Sequence, residues 1–324
     1  MTNKTKENIR IYLAPLIDTI TYPFAYVCAL YMKIIRKISF IHLPLLKKLM
    51  YRIGVFPIID QYYEPMFNPN HLSSSLREDR NLPGIDMNTA GQLELLNKFE
   101  YAEELKSIPM DKVDGEICYY YNNPSYKAGD SEYLYNMIRH FKPKRIIEVG
   151  SGYSTLMAIE AIKRNAGEGV YCIQQCIEPY EMEWLEKTSA TIIRKKLEDV
   201  DKDLFSQLES DDMLIIDSSH IIRPQGDVLV EYLEILPILK PGVIVHIHDI
   251  FTPKDYLDEW VLGEVRFWNE QYILEAFLTN NSEYEIIGAV NYLKHHYYGR
   301  IKEKCPMLSE ENEPGAFWIR KKSV

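Results

Sequence analysis

Ile146-Ile147-Glu148-Val149-Gly150-Ser151-Gly152-Tyr153-Ser154-Thr155 runs from a short apolar segment ending in an acid, through a turn with two glycines, to a helix start. Glycine lets a backbone turn sharply and come close to a ligand with no Cβ in the way. Ser154 and Thr155 suit the N-cap of a helix over 156–165. A strand, a Gly-rich turn and a helix N-terminus together make a nucleotide-type pocket at the carboxyl edge of a parallel sheet. The dinucleotide fingerprint G-x-G-x-x-G is not met, because Thr155 stands where the third glycine belongs.

Outward from this turn, strands and helices alternate. Strands are expected at 145–149, 170–177, 191–195, 213–217 and 243–248, with helices at 130–141, 156–165, 182–187, 202–208 and 226–239. Such alternation predicts a doubly wound α/β sheet. Late strands at 284–290 and 316–320 bring the count to seven. Helical spacing also marks 89–108. The aromatic stretches around Tyr62-Tyr63 and Tyr119-Tyr120-Tyr121 read as loops.

Three strand ends carry the chemistry. The second ends Cys176-Ile177-Glu178, and an acid here can accept both hydroxyls of a ribose. The fourth ends Ile216-Asp217-Ser218-Ser219-His220. The fifth ends His246-Ile247-His248-Asp249. His246 and His248 are two apart and share a sheet face. In a parallel sheet all these ends open into one crevice, so Asp217, His220, His246, His248 and Asp249 can converge to hold a divalent ion or to run general-base chemistry. Glu148 is expected to orient the turn or the cofactor, and Asp199 to lie near a bound adenine.

The net charge of −10 argues against nucleic acid as a partner. It is unevenly spread. Residues 1–54 hold nine Lys or Arg against Glu7 and Asp18, a balance of +7 that leaves −17 for the remainder. Residues 11–32 are mostly apolar, interrupted by Pro15, Asp18 and Pro23, and residues 34–53 interleave Ile and Leu with Lys and Arg. This pattern predicts a basic, apolar helical arm lying at an anionic membrane interface, broken at Pro44. An alternative use is packing on the body or on a second copy in a homodimer. Five cysteines without a C-x-x-C pair indicate a reducing, cytoplasmic setting, with the arm reaching the inner face of the membrane. Cys172 and Cys176 are expected to be buried in the second strand. The expected organisation is an arm over 1–54, a cap over 55–129 and a catalytic domain over 130–324.

The Glu148-to-Thr155 segment resembles the first motif of class I S-adenosylmethionine (SAM) methyltransferases. The resemblance implies a Rossmann-like seven-stranded sheet whose last strand is antiparallel and lies beside the fifth. It also implies SAM bound by Glu148, Gly150, Ser151, Gly152, Ser154, Glu178, Asp199 and Asp217. Asp217 with His248-Asp249 resembles the metal-holding set of catechol-type O-methyltransferases, in which a lysine base stands three residues past the fourth-strand acid. His220 falls at that lysine's place, and sugar O-methyltransferases also use a histidine base. The resemblance thus implies His220, Asp217 and His248 as catalytic residues, and Asp217, His248 and Asp249 as ligands for Mg or Mn. His248 replaces a carboxylate, which shifts the set toward softer ions. Tyr62-Tyr63-Glu64-Pro65, the two histidine-bearing strand ends and Trp268-Asn269-Glu270-Gln271-Tyr272 are together similar to an uncharacterised bacterial family of class I methyltransferases associated with glycan or surface-polymer synthesis. Tyr62, Tyr63, His246, Trp268 and Glu270 are then expected to face a polyhydroxylated acceptor, either a small molecule or a glycan. Two rival readings are metal-dependent, hydroxylase-like chemistry on the same fold and a non-catalytic, membrane-bound SAM-binding scaffold.

Overall fold

Alternating side-chain direction along each central strand sorts the core into two layers, one on each face of the sheet. Ile146, Met213, Ile215 and Ile244 pack into one apolar cluster. Ile147, Leu214, Ile216, Val245 and Ile247 pack into the other. The computed structural model describes residues 3–180 and 182–323, with side chains from Leu13 onward. The chain divides into two units, 1–73 and 74–324.

The second unit carries the sheet, ordered β3-β2-β1-β4-β5-β7-β6. Its strands are β1 (Arg145–Val149), β2 (Ile173–Ile177), β3 (Thr191–Ile193), β4 (Met213–Ile216), β5 (Ile244–Ile247), β6 (Tyr284–Ala289) and β7 (Phe317–Lys321). The first five are parallel, and β7 runs antiparallel between β5 and β6. This is the Rossmann-like, seven-stranded sheet with an antiparallel last strand beside the fifth that the methyltransferase resemblance implies. Central strands buried on both faces need near-continuous apolar runs, and β4 and β5 are buried at every position.

The ends of these strands are stitched to one another. Gly150 N–H donates to Ile177 O at 3.0 Å, Asp217 N–H to Val149 O at 2.8 Å, and His248 N–H to Ile216 O at 2.9 Å. This backbone ladder sets Gly150, Glu178, Asp217 and His248 on one sheet edge.

Several boundaries differ from the sequence reading. Helix α6 (Tyr153–Gly167) starts earlier, with Gly152 as its cap, so Ser154 and Thr155 lie in its first turn. Both hydroxyls donate inward to Glu148, and Thr155 Oγ1 also accepts from the Gly152 N–H at 3.1 Å, so it serves the cap from the third helical position. The helical spacing over 89–108 resolves into α3 (Thr89–Asn97) and α4 (Ala102–Lys106). Residues 183–187 and 202–207 are single 3-10 segments. The helix after β4 opens as α7 (Asp227–Val230), widens to π-helical hydrogen bonding over Glu231–Ile235 and ends in a 3-10 turn over Leu236–Ile238 that holds Pro237. Cys172 precedes β2 and is half-buried, whereas Cys176 is fully buried within it. Helix α5 (Asp130–Phe141) lies where predicted. Residues between 95 and 126 supply Leu96, Phe99, Leu105, Tyr119 and Tyr126 to the core of this unit.

In the first unit, α1 (Asn3–Ile38) is one helix that continues through Pro15 and Pro23. The chain breaks before Pro44, which starts α2 (Pro44–Ile53). Ile35, Phe40 and Met50 form the small core of this unit.

Candidate active site

The glycine turn is shaped by contact with the fourth strand. Gly150 has φ +75°, and a Cβ there would lie 1.8 Å from the carbonyl oxygen of Asp217, so no other residue fits. Gly152 has extended φ, and its missing Cβ would meet only Met182 Cε at 3.9 Å. The space above Gly152 therefore belongs to a cavity of about 1190 Å³, whose wall includes Gly152, Glu178, Asp217, His220, His248 and Trp268.

Glu178 is buried at the end of β2. Its Oε2 accepts from Ser151 N–H at 3.2 Å and its Oε1 from Tyr180 N–H at 2.9 Å, so the acid also holds the glycine turn. Glu148 takes the orienting part of its expected role. It is fully buried and accepts from Ser154 Oγ, Thr155 Oγ1, Gln174 Nε2 and Cys176 Sγ. Burial pushes its carboxyl up to about 7 against these four donors. Asp199 is exposed and outside the cavity wall. The one-turn helix over Leu197–Asp199 buries Leu197 and leaves Lys196, Leu197 and Glu198 as the lining.

Asp217, His248 and Asp249 offer one ligand atom each within 4.8 Å of one another. His248 Nδ1 stands 3.4 Å from both Asp217 Oδ1 and Asp249 Oδ1, and its Nε2 stands 3.4 Å from Asp130 Oδ2. No carboxylate lies on a ring N–H axis, so both buried nitrogens lack an aligned hydrogen bond. Buried polar groups without partners are rare and signal an absent ion or ligand. Two carboxylates and an imidazole fit a divalent cation.

His220 sits at the heart of the same group. Nδ1 is 2.8 Å from Glu270 Oε2, and Nε2 is 3.3 Å from Asp217 Oδ1 and 3.5 Å from Asp249 Oδ2. Its ring lies against Trp268, centroids 4.4 Å apart. The backbone of His220 has φ +59°, as does that of Asp249. Left-handed conformations are uncommon for non-glycine residues and persist where surroundings enforce them. Here the His220 carbonyl accepts from Asn269 N–H at 3.0 Å and from Glu270 N–H at 3.2 Å, at the start of α8 (Glu270–Leu278).

The buried carboxylates raise the basicity of both histidines. Burial alone would lower His220, but its bonds to Asp217 and Glu270 and the Asp249 charge hold it well above the usual histidine value. His248 is likewise depressed by burial and raised further by Asp249, Asp217 and Asp130, to a net value well above the usual one. Burial would raise Asp217, yet the two imidazoles hold it far below the carboxylate range.

His246 is corrected by the structure. It is fully buried, stacked on Trp318 at 4.5 Å, and its Nε2 meets Tyr126 Oη at 3.4 Å, behind the cavity wall. One strand step deeper than His248, it is a core histidine, and burial lowers it to about 3. Tyr62 and Tyr63 lie in the first unit, where both are strongly exposed and pack edge to face at 5.1 Å. Trp268 lines the cavity. Tyr272, in the first turn of α8, instead donates its hydroxyl to Asp255 at 3.0 Å.

With this geometry in view, residues 147–250 match the family model described as "Methyltransferase domain". A protein of Archaeoglobus fulgidus described only as uncharacterized is 31% identical over 140 residues, covering 41% of this chain and 62% of its own length. The match thus spans less than two thirds of that relative. Among solved structures, an apo form of CmcI aligns with 68% of this chain and 84% of its own, at 12% identity and TM-score 0.39. The O-methyltransferase from Bacillus cereus in complex with SAH (S-adenosylhomocysteine) aligns with 71% and 90%, at 12% and 0.35. The mycinamycin-pathway methyltransferase MycE, in complex with Mg, SAH and mycinamycin VI, aligns with 62% and 51%, at 13% and 0.33.

Four positions in or beside the cavity wall, Asp130, Glu231, Trp260 and Arg266, lay outside the sequence reading. Asp130, the first residue of α5, faces His248 while its Oδ1 accepts from Ala316 N–H at 2.7 Å. Glu231, on the π-helical turn, is fully buried, and burial beside the Glu270 and Asp227 charges pushes its carboxyl well above the usual range. Trp260 and Trp268 hold the Arg266 guanidinium against their faces at 4.6 and 4.4 Å. An acid at a predicted helix start was the one available signal for Asp130. Trp260 and Arg266 come from an irregular segment with no periodicity to read.

Proposed function

We propose that the protein is a SAM-dependent O-methyltransferase acting on a hydroxyl of a sugar, glycan or related polyhydroxylated acceptor. The observation that carries this reading is the Gly150 turn backed against the Asp217 carbonyl, which opens one cavity with both Glu178 and His220 in its wall. The match of residues 147–250 to the methyltransferase-domain model supports it.

Bound SAM would supply an electrophilic methyl group on sulfonium. Glu178 accepts the ribose hydroxyls, and Gly152 leaves room for the cofactor's approach over the start of α6. His220, in its neutral form above its raised pKa, takes the acceptor's proton at Nε2. Its Nδ1–H donates to Glu270, which fixes the tautomer and stabilises the imidazolium that forms. Tyr232 in turn donates to Glu270 Oε1 at 3.3 Å. Trp268 holds the ring's plane and, with Trp260, offers apolar faces to a polyol. Most of the rate comes from aligning oxygen, methyl and sulfur. Asp217, His248 and Asp249 would hold a divalent cation, whose chemistry is to polarise the acceptor hydroxyl.

The second part of the proposal places the protein at the cytoplasmic face of a membrane. It rests on the first unit. Helix Leu13–Ile38 is apolar and long enough to cross a bilayer, and its most apolar 18-residue window is unburied. The function is tested by incubating the full chain with methyl-labelled SAM and a panel of saccharides and polyols. The reading expects labelled ether product and SAH in equal amounts, lost in His220→Ala. SAM turnover with no methylated hydroxyl across the panel would count against the acceptor class.

A further inference from the structure

Helix α1 has apolar residues on all sides. Ile17, Ile20, Tyr22, Phe24, Tyr26, Val27 and Leu30 point around its full circumference, and each is at least 45% exposed. A helix that is hydrophobic all round belongs inside a protein core or inside a bilayer, and among the described residues no core covers its 17–30 stretch. Its polar side chains suit lipid as well. Thr19 and Thr21 return their hydroxyls to Pro15 O and Ile17 O, at 2.9 and 2.7 Å, so neither threonine has a free donor. From Thr19 to Met32 the helix carries no charge, Asp18 standing just before it.

Three cations then follow within its last six residues. Lys33, Arg36 and Lys37, with Ser39, Asp60 and Glu64, line a cavity of about 590 Å³. Arg36 is committed, donating from Nε to Glu64 Oε1 at 2.6 Å. Lys33 and Lys37 make no hydrogen bond or ion pair among the described residues. Two ammonium groups without a partner therefore border a polar cavity at the point where an apolar helix becomes basic, and the cavity's second acid, Asp60, accepts instead from Asn68 Nδ2 at 3.2 Å. That is where a lipid phosphate lies when its chains run beside a helix in the bilayer.

We propose that this cavity is a binding site for the phosphate of an anionic lipid, gripped by Lys33 and Lys37 while α1 lies in the hydrocarbon beside the lipid chains. The proposal rests on the membrane placement given above and adds to it a specific site and ligand. Charge complementarity selects the occupant. An apolar groove alone would take any lipid, whereas two free lysines select an anionic one.

The test is co-flotation of the full chain with three vesicle types: phosphatidylcholine alone, phosphatidylcholine with phosphatidate, and phosphatidylcholine brought to the same surface charge with a fatty acid. Wild type should float with all three and prefer phosphatidate to phosphatidylcholine by roughly thirtyfold, from about 1 kcal/mol per lysine at the surface. It should also prefer phosphatidate to the fatty-acid vesicles. The double variant Lys33→Gln/Lys37→Gln should still float on phosphatidylcholine, showing that it is folded and inserted, and should lose the phosphatidate preference. Equal binding to phosphatidate and fatty-acid vesicles, or a preference that survives in the double variant, would overturn the site and leave the membrane placement standing. Displacement by free inorganic phosphate would assign the cavity to a soluble anion and overturn the lipid occupant. Failure to float on any vesicle would overturn the membrane placement itself.

Discussion

Nδ1 of His220 stands 2.8 Å from Oε2 of Glu270, a fully buried carboxylate that opens α8 fifty residues further along the chain. This contact fixes which ring nitrogen is left for chemistry. Glu270→Gln keeps the shape but removes the charge. It should lower kcat by about 10²-fold or more, within the usual contribution of a positioned base, with little change in the KM for SAM. Because Glu270 helps hold His220 above its ordinary pKa, the same variant should move the acidic limb of the pH–rate profile to lower pH. A purely structural role would leave that limb in place.

The two glycines of the turn should behave differently. Gly150→Ala forces a side chain into the Asp217 carbonyl at positive φ and should cost on the order of 3 kcal/mol or more. Gly152→Ala should melt within about 0.5 kcal/mol of wild type, since nothing in the protein contacts its Cβ closely, yet it should bind SAM more weakly. Thermal melts and calorimetry on the two variants separate the protein's need for glycine from the ligand's.

The sheet was legible because apolar runs and glycine turns are local signals. The strand ends carrying Glu178, Asp217, His220 and His248-Asp249 were legible for the same reason: a parallel sheet brings its carboxyl ends together. The pairing of His220 with Glu270 was not, since it depends on how an irregular segment returns to β4. Glu270 read instead as an acceptor contact. Asp199 and His246 failed for a shared reason. Each lies one residue or one strand step from the cavity, a displacement that the sequence pattern does not resolve. The helix through Pro15 and Pro23 overrode the expectation that these prolines interrupt it.

Glu148 should shape the pH dependence of stability. Its carboxyl is raised by burial to about 7, above the ordinary value of 4.5. The native state therefore holds this proton more tightly than the unfolded chain does. Its contribution is fully present below about 4.5 and is lost as pH rises through about 7. Glu148→Gln should flatten the fall of unfolding free energy across that window by at most about 3 kcal/mol. Urea titrations at a series of pH values give the comparison, and parallel curves for the two proteins would refute it.

Asp217, His248 and Asp249 should act together on metal. Calorimetric titration with Mn²⁺ should show one site in wild type and none in Asp249→Ala. A chelator should lower methyl transfer in wild type and leave the residual rate of that variant unmoved. An untouched wild-type rate would leave His220 as a metal-free base.

The central claim is that the cavity over Gly150–Gly152 is a SAM site with Glu178 on the ribose. Isothermal titration of the full chain with SAM measures it most directly. The account predicts one site per chain, competition by SAH, and an affinity about 10- to 100-fold weaker in Glu178→Ala through the loss of charge-assisted hydrogen bonds. No SAM binding by wild type, or an unchanged affinity in Glu178→Ala, would contradict it.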